Sequence, residues 1–173
     1  MAEEAACVEY DSSSCHPLYG KWTLWAHLPH DTDWSLSSYR MIHNMETAED
    51  VIALCETLPE KLIKNCMLFT MRAGIQPTWE DQHNASGGCF SYKISNKHVK
   101  EVWTELTYAT TGETLTHDRN LHNIINGITI SPKKNFCIIK IWTNTCEHQN
   151  ANIISSINQY IVPDGCLFKK HSH

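Results

Sequence analysis

Several things are missing from these 173 residues, and each absence excludes a class of protein. No apolar run approaches the ~18 residues that a membrane-spanning helix needs, so no span is expected. No Gly-x-Ser-x-Gly elbow, phosphate loop or His-Glu-x-x-His pair occurs, and without one the expectation is a protein that is not an enzyme. A hydrolase built on a cysteine and one of the 11 histidines has no motif to focus it, and Cys89 beside Gly88 reads as a small strand residue. No Cys-x-x-Cys is present; Cys146 with His148, or His171 with His173, lacks a second ligand pair, so neither a metal nor a cofactor is expected. Positive charge is scarce too. With 14 Lys and Arg against 19 Asp and Glu, the net charge of −5 argues against a general nucleic-acid binder, although it leaves room for a small local anion site. The start is acidic, with Glu3 and Glu4, where a secretory leader is basic, so the eight cysteines are expected as reduced thiols and the chain in the cytoplasm, with nuclear exchange open.

What is present is enough for one core, and six tryptophans, at 22, 25, 34, 79, 103 and 142, are many for this length. Residues 1 to 15 are small, acidic and Ser-rich and read as a flexible tail; 16 to 173 read as one domain, expected as a monomer. Strands are predicted at Lys21 to Leu28, Tyr39 to Met45, Cys66 to Met71 and Cys89 to Ile94. Residues 128 to 130 and 136 to 143 form a hairpin around a basic turn with a long loop. Thr47 is placed to cap an amphipathic helix through Val51, Leu54, Cys55 and Leu58, and Asn96 to cap another through Val99, Val102, Trp103 and Leu106. Weaker helices are expected at His117 to Asn126 and Asn150 to Tyr160, an edge strand at Cys166 to Lys169, and a frayed basic end beyond it. Strands joined by turns without strict β-α-β alternation favour an α+β fold: a curved, mostly antiparallel sheet with about three helices on its convex face and its concave face free.

The stretch Gly74 to Asp81 joins a chain reversal to a ring and two carboxylates. Pro77 cannot donate to a sheet and Gly74 adopts dihedrals other residues avoid, so Trp79 and Glu80 belong to a loop. Trp34 ends a second polar loop, with no neighbouring apolar period to claim it for a core. Exposed rings beside an acceptor suit a planar cation.

Taken together, His16-Pro17-Leu18 before Trp22 and Trp25, Trp34, the Gly74–Asp81 stretch with Gly87-Gly88 after it, Trp103 with Glu105, Gly112-Glu113, and Ile141-Trp142-Thr143 with Cys146-Glu147 make the chain resemble the messenger-RNA cap-binding translation initiation factor 4E family, over roughly residues 16 to 173. The resemblance implies a 7-methylguanosine cap as ligand, in translation initiation or its regulation. Trp34 and Trp79 would sandwich the methylated base, Glu80 would accept from the guanine edge, Trp142 would touch the N7 methyl, and Lys133 would meet the phosphates with Lys134 close by. Cys89, Asn135 and Ile138 stand where the family often carries further basic residues, so phosphate attraction is expected to be weak, with Lys134 and Lys140 near enough to compensate in part; the alternative to a frayed end at Lys169, Lys170 and His171 is that they reach the phosphates or the following nucleotides. The resemblance also implies a convex partner surface for a helical motif of a scaffold factor or repressor, at His16, Pro17, Leu18, Ile52, Trp103, Thr104 and Glu105. Ile52 replaces the family's usual Trp and Thr104 its frequent Leu, so an altered docking mode is expected. The alternative is an interaction protein of the same fold that has lost tight cap binding and works through that surface.

Overall fold

The structure is a computed structural model that describes residues 14–171. The expected tail at 1 to 15 therefore falls outside the described residues except at its last two positions. Among the described residues, seven strands, all paired antiparallel, form one curved, unclosed sheet: β1 (Pro17–His27), β2 (Tyr39–Thr47), β3 (Met67–Arg72), β4 (Gly88–Ser95), β5 (Ile125–Pro132), β6 (Phe136–Thr143) and β7 (Leu167–Lys170), in the order β2-β1-β3-β5-β6-β4-β7. Three helices, α1 (Ala48–Thr57), α2 (Glu60–Asn65) and α3 (Val99–Thr111), cover one face.

Strand alternation divides the side chains between two clusters. On the helical side Trp22, Leu24, Phe90, Ile94, Ile128, Ile130, Ile139 and Ile141 pack against Val51, Val102, Trp103 and Leu106, all buried. On the other side a smaller cluster of Phe69, Met71, Ile75, Cys89 and Trp142 is left without a helix over it. That uncovered patch carries the site.

Local signals placed most elements. Thr47 caps α1 as expected, in a reciprocal box: its side chain accepts from the Asp50 N–H while the Asp50 carboxylate accepts from the Thr47 N–H. β1 begins four residues earlier than predicted, at Pro17, and the β5–β6 loop is three residues rather than long. Four expectations fail. Asn96 does not cap α3; the cap position is His98, and the Asn96 amide oxygen instead accepts from the Cys137 thiol. Residues 117 to 126 yield only a 3-10 turn, Arg119–Ile124, and Asn126-Gly127 continues as strand, because Gly127 fits where an added Cβ would stand 2.4 Å from the Thr70 carbonyl oxygen. Helix α2, with Pro59 at its N-cap position, has no counterpart among the expected helices. The last helix is reduced to Ala151–Ile153, since Asn150 and Asn158 spend their side chains on nearby backbone N–H groups and divert the chain from helical bonding. The basic end is not frayed: β7 pairs with β4 from Leu167 to Lys170, and the His171 N–H donates to the Gly87 carbonyl.

Candidate functional site

The loop after β3 is tied from inside. Gly74 turns the chain at φ +86°, and the Ile75 N–H closes back on the Arg72 carbonyl at 3.0 Å. Asp81 then accepts from the backbone N–H groups of Gln76 (2.9 Å) and His83 (2.8 Å). Those bonds and the His83 ring outweigh the opposing effect of burial and hold its carboxyl below the usual range. Asn84, fully buried, donates to the carbonyls of Gln76 (3.0 Å) and Thr78 (2.8 Å), and its own oxygen accepts from Asn126 on β5 at 2.8 Å. The two residues between these struts, Trp79 and Glu80, are left pointing outward, with Trp79 48% exposed.

The loop between β1 and β2 is built in the same way from short acceptors. Asp33 receives the Ser35 N–H and hydroxyl, both at 2.8 Å, which lowers its pKa. Ser38 donates to the Ser35 carbonyl. Trp34, 57% exposed, stands at the tip of this frame.

Both loops border one cavity of about 440 Å³ on the helix-free face. Trp34, Trp79, Glu80 and Trp142 all line it, so these four residues singled out from the sequence come together from three separate segments. Its floor comes from the sheet, where alternate residues share a face: Phe69 on β3, Thr129 and Ser131 on β5, Lys140 and Trp142 on β6, Cys89 on β4. Trp142 is 7% exposed, so only an edge is offered to a ligand. Lys133 and Lys134 do not line the cavity. They sit exposed in the β5–β6 turn, and the basic groups at the cavity are instead Lys140, Lys169 and Lys170. Cys89 on β4 lies between Trp142 of β6 and Lys169 of β7 in the sheet register, which brings the chain's last lysines to the rim.

Three further residues belong to the site, of which Tyr39 and His27 were not singled out from the sequence. Tyr39 lines the cavity, with its hydroxyl pKa raised by burial first and by the Glu80 charge second. His171 packs against Trp142 at 4.7 Å between centroids, and its Nδ1 donates to the Asn84 carbonyl at 2.8 Å. Burial, with Lys140 nearby, pushes the His171 pKa down and favours the neutral ring. His27 lies behind Trp34, ring on ring. Only register could have found them, since each becomes part of the site through a strand pairing. Among the described residues, the Thr129 hydroxyl, the Trp142 indole N–H and the His171 Nε2 are buried without a hydrogen-bond partner. No group of three His, Cys, Asp or Glu among the described residues is arranged to hold a metal ion.

Of the expected partner surface, His16 and Pro17 are exposed, with His16 bonded through its ring and N–H to Glu49 (2.7 and 3.0 Å). That pairing, its side-chain bond foremost, draws the Glu49 pKa down to about 2. Leu18 is half-buried, and Ile52 on α1 is 46% exposed. Thr104 and Glu105 are half-buried on α3, and Glu105 accepts from the Asn158 amide at 2.6 Å. Trp103 is corrected: at 2% exposure it belongs to the core, because α3 turns that side toward the sheet.

The model of the family described as eukaryotic initiation factor 4E matches residues 17–173. Among curated proteins, the chain is 29% identical over 141 residues to eukaryotic translation initiation factor 4E of Candida glabrata, covering 78% of this chain and 66% of that protein. It is 31% identical over 137 residues to the Saccharomyces cerevisiae factor of the same name, covering 75% and 62%. The matched stretch is thus a little under two thirds of the length of these relatives. Among solved structures, Caenorhabditis elegans eIF4E-3, in complex with the 4E-binding protein Mextli and a cap analog, superposes with a TM-score of 0.79 at 22% identity over 91% of this chain and 94% of its own. Ascaris suum eIF4E-3 with an m7G cap gives 0.77 at 23%, over 91% and 92%. A schistosome eIF4E complexed with m7GpppG and 4E-BP gives 0.79 at 20%, over 91% and 89%. At these identities the structural likeness speaks for the fold.

Proposed function

Because the chain belongs to the eukaryotic initiation factor 4E family, as a divergent member, we propose that it binds the 7-methylguanosine cap of mRNA and acts in translation initiation or its regulation. The observation that carries this reading is that Trp34 and Trp79, both about half exposed, border one cavity together with Glu80. N7-methylation leaves guanine with a delocalised positive charge, and an indole face attracts such a ring by stacking and cation-π attraction, worth about 1–3 kcal/mol per base. Two indoles gripping one base use both of its faces. Glu80 accepts from the guanine N1–H and 2-amino group, a charge-assisted pair that an adenine edge cannot supply. The Trp142 edge bounds the methyl group. Lys140, Lys169 and Lys170 are the cations placed to meet the phosphates, in preference to Lys133 and Lys134 outside the cavity.

A protein partner belongs to the same proposal, and the C. elegans and schistosome neighbours were solved with 4E-binding proteins. On this chain the surface opposite the cavity offers Pro17, Leu18, Ile52 and the exposed Tyr108 for a helical motif. The missing indole at Ile52 supports an altered docking mode. A partner-only role, with cap binding lost, is the second reading; it gains weight only from the neutral residues Cys89 and Ile138 at positions where the family is often basic.

The test is tryptophan-fluorescence titration with 7-methyl-GTP and, in parallel, GTP. Saturable quenching with at least a tenfold preference for the methylated base, abolished in Trp79→Ala and Glu80→Ala, is the expected result. Equal or absent response to the two nucleotides would overturn cap recognition and leave the partner-only reading.

A further inference from the structure

Trp34 does not stand free at the tip of its loop. The imidazole of His27, the last residue of β1, lies flat against the indole, with ring centroids 4.1 Å apart and planes within 2° of parallel. His27 is itself only 2% exposed. Its Nε2 lies 2.8 Å from the Asp33 carbonyl oxygen, so that nitrogen carries a hydrogen and donates, tying the ring to the residue before Trp34. Tyr39 meets it edge-on at 5.2 Å. Trp34 lines the cavity and His27 does not, which puts the imidazole behind the indole and leaves the indole's other face for a ligand.

We infer that His27 is a positioning residue for Trp34: its ring sets the indole plane against which a cationic base is held. The inference rests on the cap-binding reading for its ligand, but the contact between the two rings stands without it. A flat ring stacked behind Trp34, itself tied to the Asp33 carbonyl, fixes the indole plane and leaves the indole's π electrons to attract the base in front.

The deciding substitutions are His27→Ala, which removes the ring behind Trp34, and His27→Phe, which keeps a flat ring there. Dissociation constants for 7-methyl-GTP are measured on both variants and on the unsubstituted chain, with native circular dichroism checked in each. His27→Ala is expected to bind about tenfold more weakly than the unsubstituted chain, and His27→Phe to restore binding to within about threefold. Equal binding by the Phe and Ala variants would overturn the positioning role. A second arm uses no ligand: the acrylamide quenching of Trp34, read as the difference between each protein and its Trp34→Phe counterpart, should rise in His27→Ala and not in His27→Phe. Failure of the unsubstituted chain to bind 7-methyl-GTP would count against the cap reading, and the quenching arm would then decide the support of Trp34 by itself: a rise confined to His27→Ala supports the inference and its absence overturns it.

Discussion

Asn84 braces the Trp79 loop without lining the cavity itself. It is fully buried, and its amide joins the Trp79 loop to β5 through two donated bonds and one accepted from Asn126. Asn84→Ala leaves the carbonyls of Gln76 and Thr78 without that donor and strips the Asn126 amide of one acceptor. A cost of about 2–3 kcal/mol is expected, read as a lower urea midpoint, together with at least a tenfold loss of 7-methyl-GTP affinity as Trp79 loses its fixed position. Wild-type stability and affinity in this variant would contradict that role. Asn84 was visible in the sequence only as part of a turn cluster, because its partner on β5 lies 42 residues away. Trp34, Trp79 and Glu80 were legible for the opposite reason: each sits in a loop whose Pro, Gly and Asp residues announce themselves locally. Trp103 misled because a resemblance locates a residue in the chain and not on a face of its helix.

The α1 boundary was legible within one turn of sequence, whereas the segment after Asn150 was lost to short-range side-chain competition and Gly127 to a distant contact. Thr47 and Asp50 close the α1 capping box within one turn. Thr47→Ala is expected to cost about 1 kcal/mol in urea denaturation. It should leave nucleotide affinity unchanged, because α1 packs on the face away from the cavity; a change in affinity beyond twofold would show that strain passes through the sheet. The segment from Asn150 to Tyr160 has apolar residues at helical intervals, yet its asparagine side chains compete for the backbone and leave a single 3-10 turn. Gly127 reads as a helix stop in isolation and as a strand residue only once Thr70 lies across from it.

For the molecule as a whole, a net charge of −5 must be reconciled with a phosphate-bearing ligand. Topology does this by bringing Lys140 from β6 and Lys169 and Lys170 from β7 to either side of β4, so that one rim of an acidic protein is locally basic. The run Lys169-Lys170-His171 offered that role in the sequence only as the alternative to a frayed end, since its place at the rim depends on β7 closing the sheet beside β4. Lys140→Gln and Lys169→Gln are each expected to weaken 7-methyl-GTP binding about 3- to 10-fold, the range for partly exposed charge pairs, and to leave the nucleoside 7-methylguanosine nearly unaffected. Lys133→Gln should change either ligand by less than about twofold. Raising the salt from about 50 to 300 mM should likewise weaken the triphosphate and spare the nucleoside, because the base is held by stacking and the phosphates by screened charge. If Lys133→Gln instead has the largest effect, the phosphates run toward the β5–β6 turn, as the resemblance implied, and the β7 lysines serve the strand rather than the ligand.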